Sequence, residues 1–209
     1  MLPTFSLLAI SDRTTLPLPL EDWLRALAAA GIGAVQLREK DLGDRALYEL
    51  ACRARTALPA AVHLLVNSRV DLALAADADG VHLPADGLPV AALRRRFGGG
   101  VLIGRSTHRV VEVERARDEG ADYVTFGPVY ATPGKGPPVG LGELAHAAAA
   151  GLPVYALGGV TLDKFEELAG AGAAGIAAIR LFQSVPDLVL AARAAGEFFR
   201  RAEEGEHAT

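Results

Sequence analysis

Eight short apolar runs alternate along the chain with eight stretches whose apolar residues recur at helical spacing, and this alternation constrains the fold more than any other feature. The runs are three to six residues long and mostly lack the alternation of apolar and polar residues that marks a half-exposed strand. Strands of a parallel sheet have this pattern because both of their faces are buried. The predicted strands are Phe5–Ile10, Ala34–Leu37, Val62–Val66, Gly80–Leu83, Val101–Ile103, Tyr123–Phe126, Val154–Leu157 and Gly175–Ile179. The predicted helices are Leu20–Ala30, Asp44–Leu58, Val70–Ala76, Val90–Phe97, Val110–Glu119, Leu144–Ala150, Leu162–Ala171 and Pro186–Ala202.

The equal number of strands and helices predicts a single-domain (β/α)8 barrel, an α/β fold. An open, doubly wound parallel sheet is the alternative that the same alternation permits. A weak internal repeat accompanies the alternation: at Ala30–Val35, Glu119–Val124 and Ala171–Ile176 a helix ends at a glycine and a strand begins soon after. Ala78–Val81 is a looser fourth copy. We expect these glycines to end the helices in a left-handed conformation.

No linker or change of composition divides the 209 residues, of which 51% are hydrophobic. A chain of this length can bury one sizeable core. We therefore predict one barrel domain over residues 1–202 and a polar tail at residues 203–209.

Composition excludes several classes of protein. The single cysteine excludes a disulfide framework and a metal site built from cysteines, and it favours a reducing compartment. A net charge of −4 without blocks of like charge is atypical of proteins that bind nucleic acid. The first residues do not resemble a signal peptide, and no apolar run is long enough to span a membrane. We expect a cytoplasmic protein without nucleic-acid or membrane partners and, because barrels of this size commonly dimerise, a homodimer.

The exit of the second predicted strand carries the first candidate site. In (β/α)8 barrels, functional side chains follow the carboxyl ends of the strands. Alternation along the strand directs Gln36, Arg38 and Lys40 to one side and leaves Leu37 and Glu39 on the other. An amide and two cations suit a phosphate or a diphosphate.

The next strand exits add further candidate side chains. Asn67 follows the third strand, where it either binds a ligand or caps the next helix. We interpret His82 as a hydrogen-bonded histidine of the barrel rim. Ser106 and His108 follow the fifth strand, and His108 is the histidine that we favour for proton transfer.

The last three strand exits suggest a second anion pocket. Gly127–Gly140 is the longest connection, and such long loops usually cover or bind ligands. Its Thr132 and Lys135 suit an anion, and Lys135 is one of only three lysines in the chain. Gly158-Gly159 and Ile179-Arg180 follow the seventh and eighth strands, where barrels often bind phosphate through backbone N–H groups.

Taken in order, these motifs resemble those of the thiamine phosphate synthase and TenI family of small (β/α)8 barrels. The resemblance covers nearly the whole chain and rests on Gln36–Lys40, Val66-Asn67, Gly104–His108, Ala121–Val124, Gly127–Tyr130 with Thr132 and Lys135, and Gly158–Val160. Synthases of the family join a hydroxymethylpyrimidine diphosphate to a thiazole phosphate and release diphosphate. TenI-like members tautomerise a carboxythiazole phosphate by proton transfer.

The resemblance also implies roles for the candidate residues. Pyrimidine and diphosphate contacts are implied at Gln36, Arg38, Lys40, Asn67, Ser106 and Lys135. Contacts to the thiazole phosphate are implied at Thr132, Gly158, Gly159, Ile179 and Arg180. Mg²⁺ is implied only for a synthase, and otherwise no cofactor is expected.

The chain departs from both branches of the family. Synthases carry Mg²⁺-binding aspartates at the positions of Ser68 and Gly87, and Asp86 lies one residue from the second. The TenI tautomerase has a catalytic histidine where this chain has Pro128.

His82–Pro84 and Gly104–His108 resemble the TenI branch more closely than the synthases. We therefore expect a TenI-like enzyme that binds a thiazole phosphate, an isomerase whose catalytic residues are His108 and Lys135. One alternative is a thiamine phosphate synthase, a transferase that also binds pyrimidine diphosphate and has Asp86 as its candidate Mg²⁺ ligand. The other alternative is a non-catalytic regulatory protein that binds the thiazole phosphate.

Overall fold

The computed structural model describes residues 3–183 and 185–205, and its eight parallel strands form a closed barrel in chain order. The strands are β1 Leu7–Ile10, β2 Ala34–Leu37, β3 His63–Asn67, β4 Gly80–Leu83, β5 Leu102–Thr107, β6 Tyr123–Phe126, β7 Val154–Leu157 and β8 Gly175–Ala178. The helices are α1 Leu20–Ala29, α2 Asp44–Ala57, α3 Val70–Ala75, α4 Val90–Phe97, α5 Val110–Asp118, α6 Gly140–Ala148, α7 Phe165–Gly170 and α8 Val185–Gly205. The predicted single-domain (β/α)8 barrel is confirmed, and the open sheet is excluded because β8 pairs with β1.

The bounds of β2, β4, β6 and β7 are those predicted, whereas β5 is longer than its apolar run. The run ends at Ile103, but the strand continues through the polar residues Arg105 and Ser106. It continues because these residues keep their pairing with β6, where Ser106 lies opposite Thr125. Ser106 is therefore held by the barrel itself and not by a loop.

Two apolar cores stabilise the barrel: one lies between the strands and the helices, and the other fills the interior of the barrel. Trp23 is the largest side chain of the outer core and is fully buried, as are Phe126, Phe165 and Phe182. The Trp23 indole N–H donates to the backbone carbonyl of Phe182 at 2.5 Å, which fixes α1 against the segment that follows β8. The outer core therefore helps to close the barrel where its first and last strands meet.

Aromatic rings fill the inside of the barrel. Tyr123 and Tyr155 are buried with their ring centres 5.4 Å apart, and Phe5 packs 5.7 Å and 5.1 Å from them. Glycines make the room for these rings. A Cβ on Gly104 would lie 2.2 Å from Cζ of Tyr123, and one on Gly175 would lie 2.8 Å from Cε1 of Tyr155.

The repeated glycines adopt the left-handed conformation that the sequence predicted. Gly31, Gly120 and Gly172 follow α1, α5 and α7 with φ of 85°, 87° and 83°. In the fourth copy the left-handed residue is Asp77, with φ of 51°, which precedes the predicted segment. Aspartate tolerates this conformation better than most side chains, so this turn needs no glycine.

Two aspartates form equivalent sets of hydrogen bonds at the amino-terminal end of the barrel. Asp79 accepts hydrogen bonds from the backbone N–H of Leu64 and from the guanidinium of Arg55, each at 2.7 Å. Asp122 accepts equivalent bonds from a backbone N–H of β5 at 2.7 Å and from Arg94 at 2.6 Å. Both aspartates thus join neighbouring strands at the end where barrels carry stability and not catalysis.

The carboxyl-terminal helix α8 extends to Gly205, so the start of the predicted tail at residues 203–209 is helical. Residues 206–209 of that prediction lie outside the described residues. Within the described part of the chain, none of the helices has the length and apolar character needed to cross a membrane.

We expect Gly104→Ala to lower the free energy of unfolding by about 3 kcal/mol, because the added methyl group forces Tyr123 out of its packing position. The matched control is Gly142→Ala in α6, where nothing lies within 4 Å of the added Cβ. A helical glycine replaced by alanine should raise stability by about 1 kcal/mol. Chemical denaturation followed by fluorescence of the single tryptophan measures both, and equal stability of Gly104→Ala and the wild type would contradict the prediction.

Candidate active site

A cavity of about 1110 Å³ opens at the carboxyl ends of the strands. Every residue that the sequence proposed for the site lines this cavity: Gln36, Arg38, Lys40, Asn67, Asp86, Ser106, His108, Thr132, Lys135, Gly158, Gly159, Ile179 and Arg180. The fold thus brings together residues from the exits of β2 to β8. Their individual roles stay predictions.

The side chains at the end of β2 alternate between the cavity and the opposite side. Gln36, Arg38 and Lys40 line the cavity. Gln36 is only 2% exposed, and its Nε2 has no hydrogen-bond partner. A buried amide without a partner is destabilising. This donor therefore points to a ligand that accepts a hydrogen bond.

Glu39 is buried on the other side of the same strand end. Its carboxylate accepts hydrogen bonds from the Ser11 hydroxyl at 2.5 Å and from the backbone N–H of Arg13 at 3.1 Å and 3.2 Å. The Ser11 hydroxyl oxygen in turn accepts the backbone N–H of Arg38 at 2.9 Å. Burial raises the pKa of Glu39, and the bonds from Ser11 and Arg13 oppose that rise. This network joins the exits of β1 and β2 and keeps the carboxylate away from the cavity.

Positive charge dominates the cavity. Four basic side chains line it, namely Arg38, Lys40, Lys135 and Arg180, against the two carboxylates Asp12 and Asp86. Among the described residues none of these four cations forms an ion pair, although most arginines on the helices do. Cations without carboxylate partners in a concave site attract anions.

Ser106 is held in place by a buried histidine. His82 Nε2 lies 2.9 Å from the Ser106 hydroxyl, and His82 Nδ1 lies 3.0 Å from the hydroxyl of Tyr123. Burial, together with the positive charges of Arg38 and Arg105, lowers the pKa of His82 to about 3. His82 is therefore neutral at physiological pH and acts as a fixed hydrogen-bonding bridge below the cavity.

His108 is anchored to the loop that follows β6. Its Nδ1 lies 2.5 Å from the carbonyl oxygen of Gly127. Because a carbonyl only accepts, Nδ1 carries the proton and donates it. The backbone N–H of His108 donates to Glu112 at 2.7 Å. Both bonds hold His108 between the loop and α5.

The β6–α6 loop, residues 127–139, is attached at both ends to its surroundings. The N–H groups of Val129 and Tyr130 donate to the carbonyls of Leu157 and Gly158 at 2.8 Å and 3.1 Å. At the other end the N–H of Val139 donates at 2.8 Å to a carbonyl of the start of the loop. Residues 133–138 between these bonds are exposed and carry Lys135.

The Gly158-Gly159 pair has a packing role that the sequence did not reveal. Both glycines adopt positive φ, 97° and 66°. A Cβ on Gly158 would lie 2.6 Å from Cβ of Pro128, and one on Gly159 would lie 2.7 Å from Cβ of Tyr130. The pair therefore lacks side chains because the β6–α6 loop packs directly on it. Phosphate binding by its N–H groups stays a prediction.

The residues around Asp86 fit Mg²⁺ only in part. Asp86 is exposed at the cavity, whereas Ser68 offers a hydroxyl that accepts a hydrogen bond from Asn67 Nδ2 at 3.0 Å. A Cβ on Gly87 would lie 2.9 Å from Cδ of Pro84, so a carboxylate there would require the turn to move. No group of three or more His, Cys, Asp or Glu side chains in the described residues is arranged to hold a metal. Mg²⁺ is often bound by one or two carboxylates together with substrate phosphates. Asp86 and the oxygens of a bound phosphate would together fit such an ion.

The exit of β1 contributes residues that sequence reasoning missed. Asp12, Thr15 and Gln183 line the cavity, and the Gln183 amide donates to the Thr15 hydroxyl. This bond closes the rim between the exits of β8 and β1. The available signal was the polar segment Ser11–Thr15 directly after an apolar strand, the same signal that identified Gln36–Lys40.

The family model and the related proteins agree on one family. A family model described as thiamine monophosphate synthase matches residues 7–182. The thiamine-phosphate synthase of Methanoculleus marisnigri is 42% identical over 177 residues, which are 82% of this chain and 84% of that protein. The thiamine-phosphate synthase of Roseiflexus castenholzii is 40% identical over 181 residues, 83% of this chain and 78% of that protein.

A solved structure supports the same relation. The thiamine phosphate pyrophosphorylase from Pyrococcus furiosus superposes with a TM-score of 0.82 at 29% identity. The match covers 95% of this chain and 96% of that one.

The expected TenI-like tautomerase, and with it the assignment to the isomerases, is wrong. The relatives are named as synthases, which are transferases, and this supports the alternative that the sequence left second. The physical reason lies in the cavity: tautomerisation of one thiazole phosphate does not require four cations that lack ion-pair partners among the described residues. The expectation gave too much weight to single positions such as Ser68 and Gly87.

We expect the buried His82 to make the protein less stable at acidic pH. Below the ordinary pKa of 6.5 the unfolded chain binds a proton at His82, whereas the folded chain does so only near pH 3. The free energy of unfolding should therefore fall between pH 6.5 and 3, by about 2 kcal/mol at pH 5. Denaturation of the wild type and of His82→Gln at pH 7.5 and 5.0 measures this. If both proteins lose the same stability on acidification, the buried neutral His82 is not the cause.

Proposed function

The chain belongs to the thiamine monophosphate synthase family, and on this premise we propose that it joins a hydroxymethylpyrimidine diphosphate to a thiazole phosphate. The bond between the pyrimidine methylene carbon and a diphosphate oxygen breaks, and the electron pair leaves with diphosphate. The thiazole nitrogen then forms a bond to that carbon. The catalysed reaction is thus a transfer, and diphosphate is its second product.

The four unpaired cations around one cavity carry this proposal. They come from the exits of β2, β6 and β8 and have no carboxylate partner among the described residues. A diphosphate and a phosphate together supply the negative charge that such a site lacks. The cavity, at about 1110 Å³, also exceeds the roughly 300–1000 Å³ typical of a site for one small ligand, which supports two substrates bound side by side.

We assign the pyrimidine ring to Gln36, Asn67 and Ser106. An aminopyrimidine offers ring nitrogens that accept hydrogen bonds and an amino group that donates them. The unpartnered Nε2 of Gln36 supplies a donor, and its amide oxygen supplies an acceptor. The His82 bridge below Ser106 fixes the hydroxyl, so this part of the site is formed before substrate arrives.

We assign the diphosphate to Arg38, Lys40 and Lys135. Negative charge grows on the leaving diphosphate as the carbon–oxygen bond breaks. Cations that are already in place stabilise this charge more in the transition state than in the bound substrate. Lys135 comes from the exposed part of the β6–α6 loop and can approach the diphosphate from above the barrel.

We assign the thiazole phosphate to Thr132, Gly158, Gly159, Ile179 and Arg180. The N–H groups of Gly158 and Gly159 make no turn or loop hydrogen bond to another backbone group of the described residues, so they are free to donate to a phosphate. Arg180 adds a positive charge at the exit of β8. This assignment places the thiazole beside β7 and β8.

Mg²⁺ would be held by Asp86 together with diphosphate oxygens and would neutralise part of the charge of the leaving group. His108 has no proton-transfer step in this reaction, and its bond to Gly127 supports an anchoring role instead. A cytoplasmic location and a homodimer stay predictions.

We expect diphosphate release when the protein is incubated with the pyrimidine diphosphate, the thiazole phosphate and Mg²⁺. Lys135→Ala should lower kcat/KM by about 100-fold, because it removes one cation from the developing charge. Arg95→Ala, which removes an exposed charge from α4, is the control and should retain wild-type activity. Tight binding of thiazole phosphate by the wild type without diphosphate release would favour the non-catalytic binding protein.

We expect Asp86→Asn to raise the Mg²⁺ concentration required for half-maximal activity by at least about tenfold, since it removes the carboxylate ligand. Glu114→Gln neutralises an exposed carboxylate on α5 and serves as the control. Initial rates over a Mg²⁺ titration measure the effect. An unchanged requirement in Asp86→Asn would exclude this residue as a ligand.

A further inference from the structure

Three side chains connect the β6–α6 loop to the helix that follows β7. The Tyr130 hydroxyl donates to Oε1 of Glu167 at 2.5 Å. Lys164 Nζ lies 3.4 Å from the same Oε1 and 5.4 Å from the centre of the Tyr130 ring. We name Tyr130, Lys164 and Glu167 the loop anchor. Lys164 is the only lysine of the chain that lies outside the cavity lining, and the anchor accounts for it.

The anchor keeps its hydrogen bond at physiological pH. Burial raises the pKa of Tyr130, and the carboxylate of Glu167 raises it further. The same bond lowers the pKa of Glu167, and the positive charge of Lys164 lowers it as well. A protonated phenol therefore faces an ionised carboxylate, and such charge-assisted hydrogen bonds are stronger than neutral ones.

Contacts lead from the anchor to the cavity. The carbonyl of Tyr130 accepts the Thr132 hydroxyl at 3.0 Å, and the carbonyl of Thr132 accepts the backbone N–H of Lys135 at 3.1 Å. On its other side Tyr130 packs on Gly159 without space for a Cβ. These contacts tie the positions of Thr132 and of the Lys135 backbone to that of Tyr130.

The exposed part of the loop needs such support. Residues 133–138 contain glycines at 134 and 136 and have no helix or strand of their own. A lysine on this segment samples many positions unless the ends of the segment are fixed, and each position away from the diphosphate reduces its contribution.

We propose that Tyr130 is a positioning residue, which acts through Glu167 and Lys164 to hold the β6–α6 loop so that Lys135 reaches the leaving group. The inference rests on the proposed function for its catalytic consequence, whereas the anchoring is measurable without catalysis. Tyr130 also connects the two halves of the site, because it belongs to the loop of Lys135 and packs on Gly159.

The first experiment uses a protease that cleaves after lysine. Such a protease has three sites in this chain, after Lys40, Lys135 and Lys164. Tyr130→Phe retains the ring and removes only the hydroxyl. We expect cleavage of the native protein after Lys135 to become about tenfold faster, because the loop opens more often without the hydrogen bond. Cleavage after Lys40 should keep its wild-type rate and reports that the barrel is intact.

The matched control is Tyr48→Phe, the same change on the exposed face of α2. It should leave the rate of cleavage after Lys135 unchanged. Equal rates after Lys135 in Tyr130→Phe and the wild type overturn the anchor. A faster rate after both Lys40 and Lys135 also overturns it, since the substitution then weakens the whole fold.

The second experiment separates positioning from a merely structural role by kinetics. We expect Tyr130→Phe to lower kcat/KM for the pyrimidine diphosphate by about tenfold. In a Lys135→Ala background the same substitution should cause no further loss, and Glu167→Gln should add nothing to Tyr130→Phe. Independent, multiplicative losses in these double variants overturn the proposal. If the wild type releases no diphosphate, the proposed function fails and the catalytic role of Tyr130 fails with it, while the cleavage rates alone decide whether the anchor exists.

Discussion

The packing of two tyrosine rings inside the barrel is the constraint on which the rest of the structure depends. Tyr123 fills the interior because Gly104 leaves space for its ring, and Gly175 leaves space for both Tyr155 and the backbone of Ser6. The hydroxyl of Tyr123 then reaches His82, which in turn holds Ser106 at the cavity. The side chains that fill the barrel therefore also fix the floor of the candidate site, so stability and site geometry are set by the same contacts. A change that moves Tyr123 acts on both.

The charge of the cavity follows from how β2 ends. Strand alternation places Arg38 toward the cavity and Glu39 on the opposite side, where Ser11 holds the carboxylate. The carboxylate nearest in sequence therefore cannot neutralise the cation. Below the rim, His82 stays neutral because it is buried and because Arg38 and Arg105 disfavour a further positive charge. A neutral floor under a cationic rim suits a substrate with an uncharged ring and an anionic tail.

The sequence predicted the features that depend on neighbours along the chain. Uninterrupted apolar runs marked strands because the sheet is buried on both faces, and alternation at Gln36–Lys40 identified the side chains that reach the cavity. Features that depend on contacts between distant segments were not accessible. The extension of β5 through Ser106 depends on its register with β6. The need for glycine at 158 and 159 depends on Pro128 and Tyr130, which belong to another loop, so the pair was explained by phosphate binding alone.

The incorrect expectation of an isomerase came in part from the residues at the candidate Mg²⁺ site. Ser68 and Gly87 stand where synthases carry Mg²⁺-binding aspartates, and this difference was weighed against synthase activity. Under our proposal Asp86 would hold Mg²⁺ together with oxygens of the diphosphate and water, so the protein itself would supply few of the ligands. The ion would neutralise part of the charge of the diphosphate, and Arg38, Lys40 and Lys135 would supply the remaining positive charge. Under our proposal, the missing aspartates change which atoms bind the ion, and the same leaving group is still stabilised.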